Sequence, residues 1–218
     1  MSGSPVDGPL WRVGYHRAPV DFTPLDLYGF SHRFDDVDHR FRTLYVAEFD
    51  VTGLREVLAD FRPNLAARQR HIERYGPEAT DDFPVAPVTA KWRQENVLVQ
   101  VRLELDGPVV DLFDADARQE LEDRHAALLV EYGLEHLDLS EITTKRRKVT
   151  QTIAGELFDR GAAAVQFPSR LDGKVCVALF EGRGTVHQVG DVVALTDPPP
   201  DSLLTVTGEW NLKMQEAS

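Results

Sequence analysis

The sequence predicts an α+β fold, and three observations carry that prediction. Asn96 to Leu105 (NVLVQVRLEL) alternates apolar and polar residues over its second half, as a strand with one face inward does. Leu54, Val57, Leu58 and Phe61 fall on one face at helical spacing, and so do Val149, Ile153, Leu157 and Phe158. Helices and strands then follow one another without regular βαβ spacing, which favours α+β over a doubly wound parallel sheet. The 218 residues suffice to bury one core and read as a single domain over residues 10–218, behind a Ser-, Gly- and Pro-bearing terminus over 1–9 that is expected to be disordered.

Leu10 to Tyr15 (LWRVGY) is the first expected strand. Arg12 stands inside this mostly apolar run, where a charge has to be paired or has to face a cleft. Residues 16–38 carry much Pro, Asp and Gly with little periodicity and read as a long irregular segment, a type often reserved for function. Thr43 to Ala47 (TLYVA) is a short strand, and Thr52 is the expected N-cap of the helix TGLREVLADFR, with Glu56 off its apolar stripe. A polar helix is expected over 62–75 after Pro63 and a loop over 76–90. Asp106-Gly107-Pro108 turns the chain after Leu105, so VVDLF is expected beside the strand it has just left. A helix capped by Asp114 or Asp116 should run through Tyr132, with Gly133 as its stop, and another should run from Thr144 to Arg160, stopped by Gly161. AAAVQFPSR and KVCVALF read as strands, and so do DVVALT and SLLTVTGEWNL on either side of Pro198-Pro199-Pro200.

Composition narrows the function. With 42% hydrophobic and 28% charged residues the chain is an ordinary globular protein rather than a disordered one. A formal charge of -12 argues against general nucleic-acid binding, while leaving room for a local basic pocket. No apolar run approaches the roughly 20 residues that span a bilayer, so no membrane partner is expected. The start MSGSPVDGPLW has neither a basic beginning nor an apolar core, so a cytoplasmic location is expected. Cys176, set in VCVALF, reads as a buried strand residue rather than a reactive thiol.

No P-loop, GxGxxG after a strand, HExxH or GxSxG occurs, and seven histidines with one cysteine make no metal-ligand spacing, so no metal is expected. Lys145-Arg146-Arg147-Lys148 sits where a helix begins, which is unfavourable against the helix dipole. It reads as a solvated face, or else as a rim that attracts phosphate groups. Asp35 and Asp36 read as loop-solubility or capping residues before they read as a glycosidase-like pair.

Five residues stand in an order that resembles the RES domain, a family named for its Arg, Glu and Ser. They are Arg12 in LWRV, Arg33 in SHRF, Tyr45 in LYVAE, Glu56 in LREVL and Ser169 in FPSR. The likeness extends to NVLVQVRLELDGPVVDLFD, to KVTQTIAGELFDRG and to VCVALF, and covers residues 10 to 212. It implies an ADP-ribosyltransferase-like split β-sheet flanked by helices, with NAD as a substrate rather than a bound cofactor. It further implies an NAD phosphorylase or NAD glycohydrolase that cleaves the nicotinamide–ribose bond by phosphorolysis or hydrolysis. Such enzymes serve as toxins of toxin–antitoxin pairs, so an antitoxin protein and inorganic phosphate are the implied partners. ADP-ribosyl transfer to a macromolecule, and a non-catalytic NAD- or partner-binding module of the same fold, are the alternatives; a homo-oligomer is left open.

The resemblance assigns catalysis to Arg33, Tyr45 and Glu56 and substrate binding to Arg12, Arg33 and Ser169. Arg12 and Arg33 would offer planar charged forks to the pyrophosphate or to a phosphate acceptor. Glu56 would stabilise an oxocarbenium-like ribose, Tyr45 would stack on nicotinamide or ribose, and Ser169 would fix the carboxamide or ribose. The plainer reading of Arg12 and Glu56 is a structural ion pair under the sheet. Two departures from the family stand out: Ser31-His32-Arg33-Phe34-Asp35 replaces a loop with glycines and a Trp-Asn pair, and Ala162-Ala163-Ala164 replaces a Gly-rich stretch.

Overall fold

The strands expected at Leu10–Tyr15 (β1), Thr43–Ala47 (β2) and Asn96–Leu105 (β3) form over those residues. They are joined by Val109–Asp111 (β4), Ala164–Pro168 (β5), Val175–Phe180 (β6) and Gly184–Ala194 (β7). The computed structural model describes residues 8–80, 83–196 and 198–216, so residues 1–7 of the expected disordered terminus lie outside the described residues. Among these the strands make one sheet in the order β4-β5-β6-β2-β1-β3-β7. β1 pairs with β3 along its whole length and β2 pairs with β6 along its whole length, yet β1 and β2 share a single register pair, Trp11 with Ala47. The sheet is therefore split at this seam, in keeping with the expected fold class.

Because side chains alternate across a strand, that one pair sorts the residues into faces. Leu10, Leu44, Val46, Val99 and Val177 share the back face, covered by Val20 and Phe22 of the irregular segment. On the front of the β2 half, Phe34, Val149, Ile153, Leu157 and Phe180 build the largest core. On the front of the β1 half, Leu54, Leu58, Leu98, Leu203 and Val206 build another.

Eight α-helices among the described residues supply these covers: Asp50–Leu58 (α1), Leu65–Tyr75 (α2), Ala90–Glu95 (α3), Ala115–Arg124 (α4), Ala126–Glu131 (α5), Leu139–Thr143 (α6), Arg147–Asp159 (α7) and Asp201–Glu209 (α8). Four expectations are corrected. SLLTVTGEW is helix α8, because Leu203, Val206 and Thr207 become buried together only at helical spacing. β4 leaves β3 altogether and pairs in parallel with β5 at the far edge of the sheet. Thr52 lies inside α1, whose N-cap is Phe49. The single helix expected through Tyr132 is broken at His125, whose Nε2 lies 2.5 Å from Glu156 on α7. α3, capped by Thr89 through a 3.1 Å bond from the Trp92 amide, and α6 carry no sequence signal strong enough to have been expected.

Candidate functional site

Glu56 and Ser169 meet in front of the split. In α1, Leu54 and Leu58 face the core, which turns Glu56 between them towards solvent. Ser169 follows β5 and is buried; its Oγ donates to Glu56 Oε1 at 2.6 Å and accepts from the Leu171 amide at 3.1 Å. The chain doubles back here through Gly173, at φ 72°, and Asp172 in the same turn accepts from Thr52 Oγ1 and Arg55 Nη1, both at 2.8 Å. Burial works against the charge on Asp172, but the hydrogen bond from Thr52 and those that follow it hold the carboxyl below its ordinary range. The turn is thereby bolted to α1, and the serine is held against the glutamate.

Tyr45 shares the front face with Ala47 and projects towards the loop over residues 30–36. Its hydroxyl accepts from the Phe34 amide at 2.8 Å and lies 3.5 Å from Asp35 Oδ1. Burial first, and Asp35 second, push its pKa well up, so it is a neutral phenol near pH 7. The loop itself is braced by the two aspartates. Both are fully buried, which corrects the expectation of solubility residues, and they turn to different partners rather than forming a pair. Asp35 accepts from the Tyr28 hydroxyl at 2.5 Å and the His32 amide at 2.6 Å. Asp36 accepts from Arg40 Nε at 2.9 Å, in a space kept open by Gly155, where a Cβ would come within 3.0 Å of both.

Arg33 reaches from this loop to the end of α6. It donates to the carbonyls of Ile142, of Thr144 at 2.7 Å and of Thr143 at 3.1 Å, satisfying acceptors that the helix leaves over. Burial lowers its pKa, Glu56 supports its charge, and Arg147 and Arg170 oppose it. Arg33, Tyr45, Glu56 and Ser169 thus come together in one region.

Arg12 does not join them. The Trp11–Ala47 pair sets Arg12 opposite Val46, on the back face, whereas Tyr45 lies on the front. Its guanidinium donates to the carbonyls of Pro19 at 2.9 Å, Asp21 at 3.0 Å and Tyr45 at 3.4 Å, and burial lowers its pKa to about 10. No Arg12–Glu56 ion pair forms, because the sheet stands between them. Gly14 completes the arrangement: a Cβ there would lie 2.2 Å from the same Pro19 carbonyl oxygen.

Three neighbours escaped the sequence reading of the site. Arg147 belongs to the basic run and Arg170 directly follows Ser169, so both had a signal; Asp172 had none. Cys176 is buried, and burial first raises its thiol pKa, which leaves it inert. Among the described residues no three His, Cys, Asp or Glu side chains gather to hold a metal, and no helix is long and apolar enough to cross a membrane. Chemically, the region offers a solvent-facing carboxylate oriented by a hydroxyl, with cationic groups beside it.

The comparisons with known proteins follow that geometry. A family model described as the RES domain matches residues 9–199. A chain of the M. tuberculosis MbcT–MbcA toxin–antitoxin complex matches with a TM-score of 0.50 and 19% identity, over 87% of this chain and 85% of that one, a likeness of fold. No curated protein matches the sequence.

Proposed function

Because the chain belongs to the RES-domain family, we propose that it degrades NAD by cleaving the nicotinamide–ribose bond. The observation that carries this reading is the 2.6 Å bond from Ser169 Oγ to an otherwise solvent-facing Glu56. In the proposed reaction the bonding pair leaves with the nicotinamide ring nitrogen and positive charge develops on the ribose. A carboxylate beside that carbon lowers the barrier, and a fixed one does so without reorganising. Ser169 supplies the fixing. Water then adds with loss of a proton, or inorganic phosphate adds to give the sugar 1-phosphate. Tyr45, neutral and bonded to the Phe34 amide, shapes the wall and the loop rather than moving a proton.

The protein is, on this proposal, the cytoplasmic toxin of a toxin–antitoxin pair, with an antitoxin protein that covers the Glu56 side. The fold likeness to a chain from a toxin–antitoxin complex supports that role. Incubation of folded protein with NAD, with and without orthophosphate, should release nicotinamide, and Glu56→Gln should slow release by about 10²–10³-fold. Dependence on phosphate separates phosphorolysis from hydrolysis, and label from NAD retained on a macromolecule would redirect the reading to transfer. Intact NAD under every condition, with the fold verified by circular dichroism, would sink it.

A further inference from the structure

The arginines near the candidate site fall into two kinds. Arg12 and Arg33 each hold three backbone carbonyls and have little left to offer a ligand. Arg147, the first residue of α7, is exposed and donates to the carbonyl of Ser31, a neutral acceptor that leaves its charge uncompensated. Arg170 is exposed and makes no hydrogen bond or ion pair with any described residue.

Bonds along the chain tie the two to one place. Ser31, held by Arg147, lies two residues before Arg33, and Arg33 bonds Thr144, three residues before Arg147. Arg170 adjoins Ser169, whose hydroxyl rests on Glu56. Asp172, the carboxylate of the turn that follows Ser169, is already engaged by Arg55 and Thr52. Arg33 therefore stands among Glu56, Arg147 and Arg170, three guanidinium groups with one carboxylate, in a chain whose formal charge is -12. The start of α7 adds to this positive charge, having no side-chain cap and no acidic residue in its first turn. Like charges assembled at an exposed site raise its free energy, and an anion relieves that cost.

We propose that Arg147 and Arg170 form a clamp for phosphoryl oxygens beside Glu56, replacing the buried Arg12 and the carbonyl-bound Arg33 as the anion-holding residues. The clamp takes either the pyrophosphate of a dinucleotide or a free phosphate; its assignment to NAD rests on the function proposed above. Planar guanidinium forks suit this chemistry better than ammonium groups do.

Inorganic pyrophosphate, titrated calorimetrically into the full-length protein at low salt, is a probe that does not depend on NAD being the substrate. Arg170→Gln breaks no bond within the described residues and should weaken binding about tenfold, as should Arg147→Gln, each with a shallower salt dependence. Lys91→Gln, on the remote helix α3, should change nothing. Pyrophosphate binding that is equal in wild type and Arg170→Gln, or absent at millimolar concentrations, overturns the clamp. Should Arg147→Gln fail to fold, Arg170→Gln decides alone. Parallel titrations with ADP-ribose and orthophosphate identify the source: a loss confined to the first assigns the clamp to the dinucleotide, and one confined to the second to the acceptor. A protein that binds pyrophosphate through these arginines but leaves NAD intact overturns the enzymatic reading and keeps the clamp.

Discussion

Behind the β1–β2 seam, Arg12 is buried with 8% of its surface exposed, and three backbone carbonyls answer its charge. In front of the seam, Arg147 and Arg170 are exposed, and Glu56 holds the hydroxyl of Ser169, the residue before Arg170. One residue type thus does opposite work a sheet's thickness apart. Behind, the guanidinium is a fastener that holds residues 19–21 to the sheet. In front, it is available charge. Membership of an ordered motif does not decide between these roles; the face of the strand does.

Three measurements can break or sharpen that contrast. The largest effect should come from Arg12→Ala, which leaves the carbonyls of Pro19, Asp21 and Tyr45 short of a donor and should destabilise the fold by about 3 kcal/mol in urea denaturation. Turnover per folded molecule should change little. If turnover collapsed while the denaturation midpoint held, the back face would belong to the site after all. Gly14→Ala comes next: a Cβ 2.2 Å from the Pro19 oxygen forces the same segment away, at a cost of about 2 kcal/mol. Undisturbed stability would show that residues 19–21 are not fastened there.

The smallest effect concerns Asp35, the buried charge on the front side. Burial opposes its ionisation, but hydrogen bonds from His32 and Tyr28 outweigh it and keep the folded pKa lowered. A depressed carboxyl pKa stabilises the fold above the unfolded value of roughly 3.9, and this is lost as pH falls through the folded value. Asp35→Asn should therefore cost about 1 kcal/mol near neutrality and flatten the acid limb of the stability profile. Asp36 is shifted in the same direction, so part of that limb should persist. An unchanged acid limb would mean that the loop's brace is not electrostatic.

Legibility in the sequence followed the range of the forces involved. β1, β2 and β3 end where their local patterns end, and Glu56 was visible as a polar residue off an apolar stripe. α8 was misread because Leu, Thr and Val also suit a strand; only its docking on Leu54 and Leu58 fixes the period. β4 was misplaced because a three-residue parallel strand takes its partner from sheet order, not from its neighbour in the chain. The back-face placement of Arg12 is not legible because it depends on a single pairing, Trp11 with Ala47, that neither strand encodes alone. Asp172 was invisible for the same reason, since its partners lie well over a hundred residues away.

The seam has a mechanical side as well. Glu56 rides on a helix packed over Trp11, Val13 and Leu98, while Ser169 follows the strands beyond the split, so their contact, with those of Thr52 and Arg55 to Asp172, ties the two halves together across a seam of one register pair. A ligand that rests on both Glu56 and Ser169 should tighten that tie, and slowed deuterium uptake at Trp11 and Ala47 in its presence would record it.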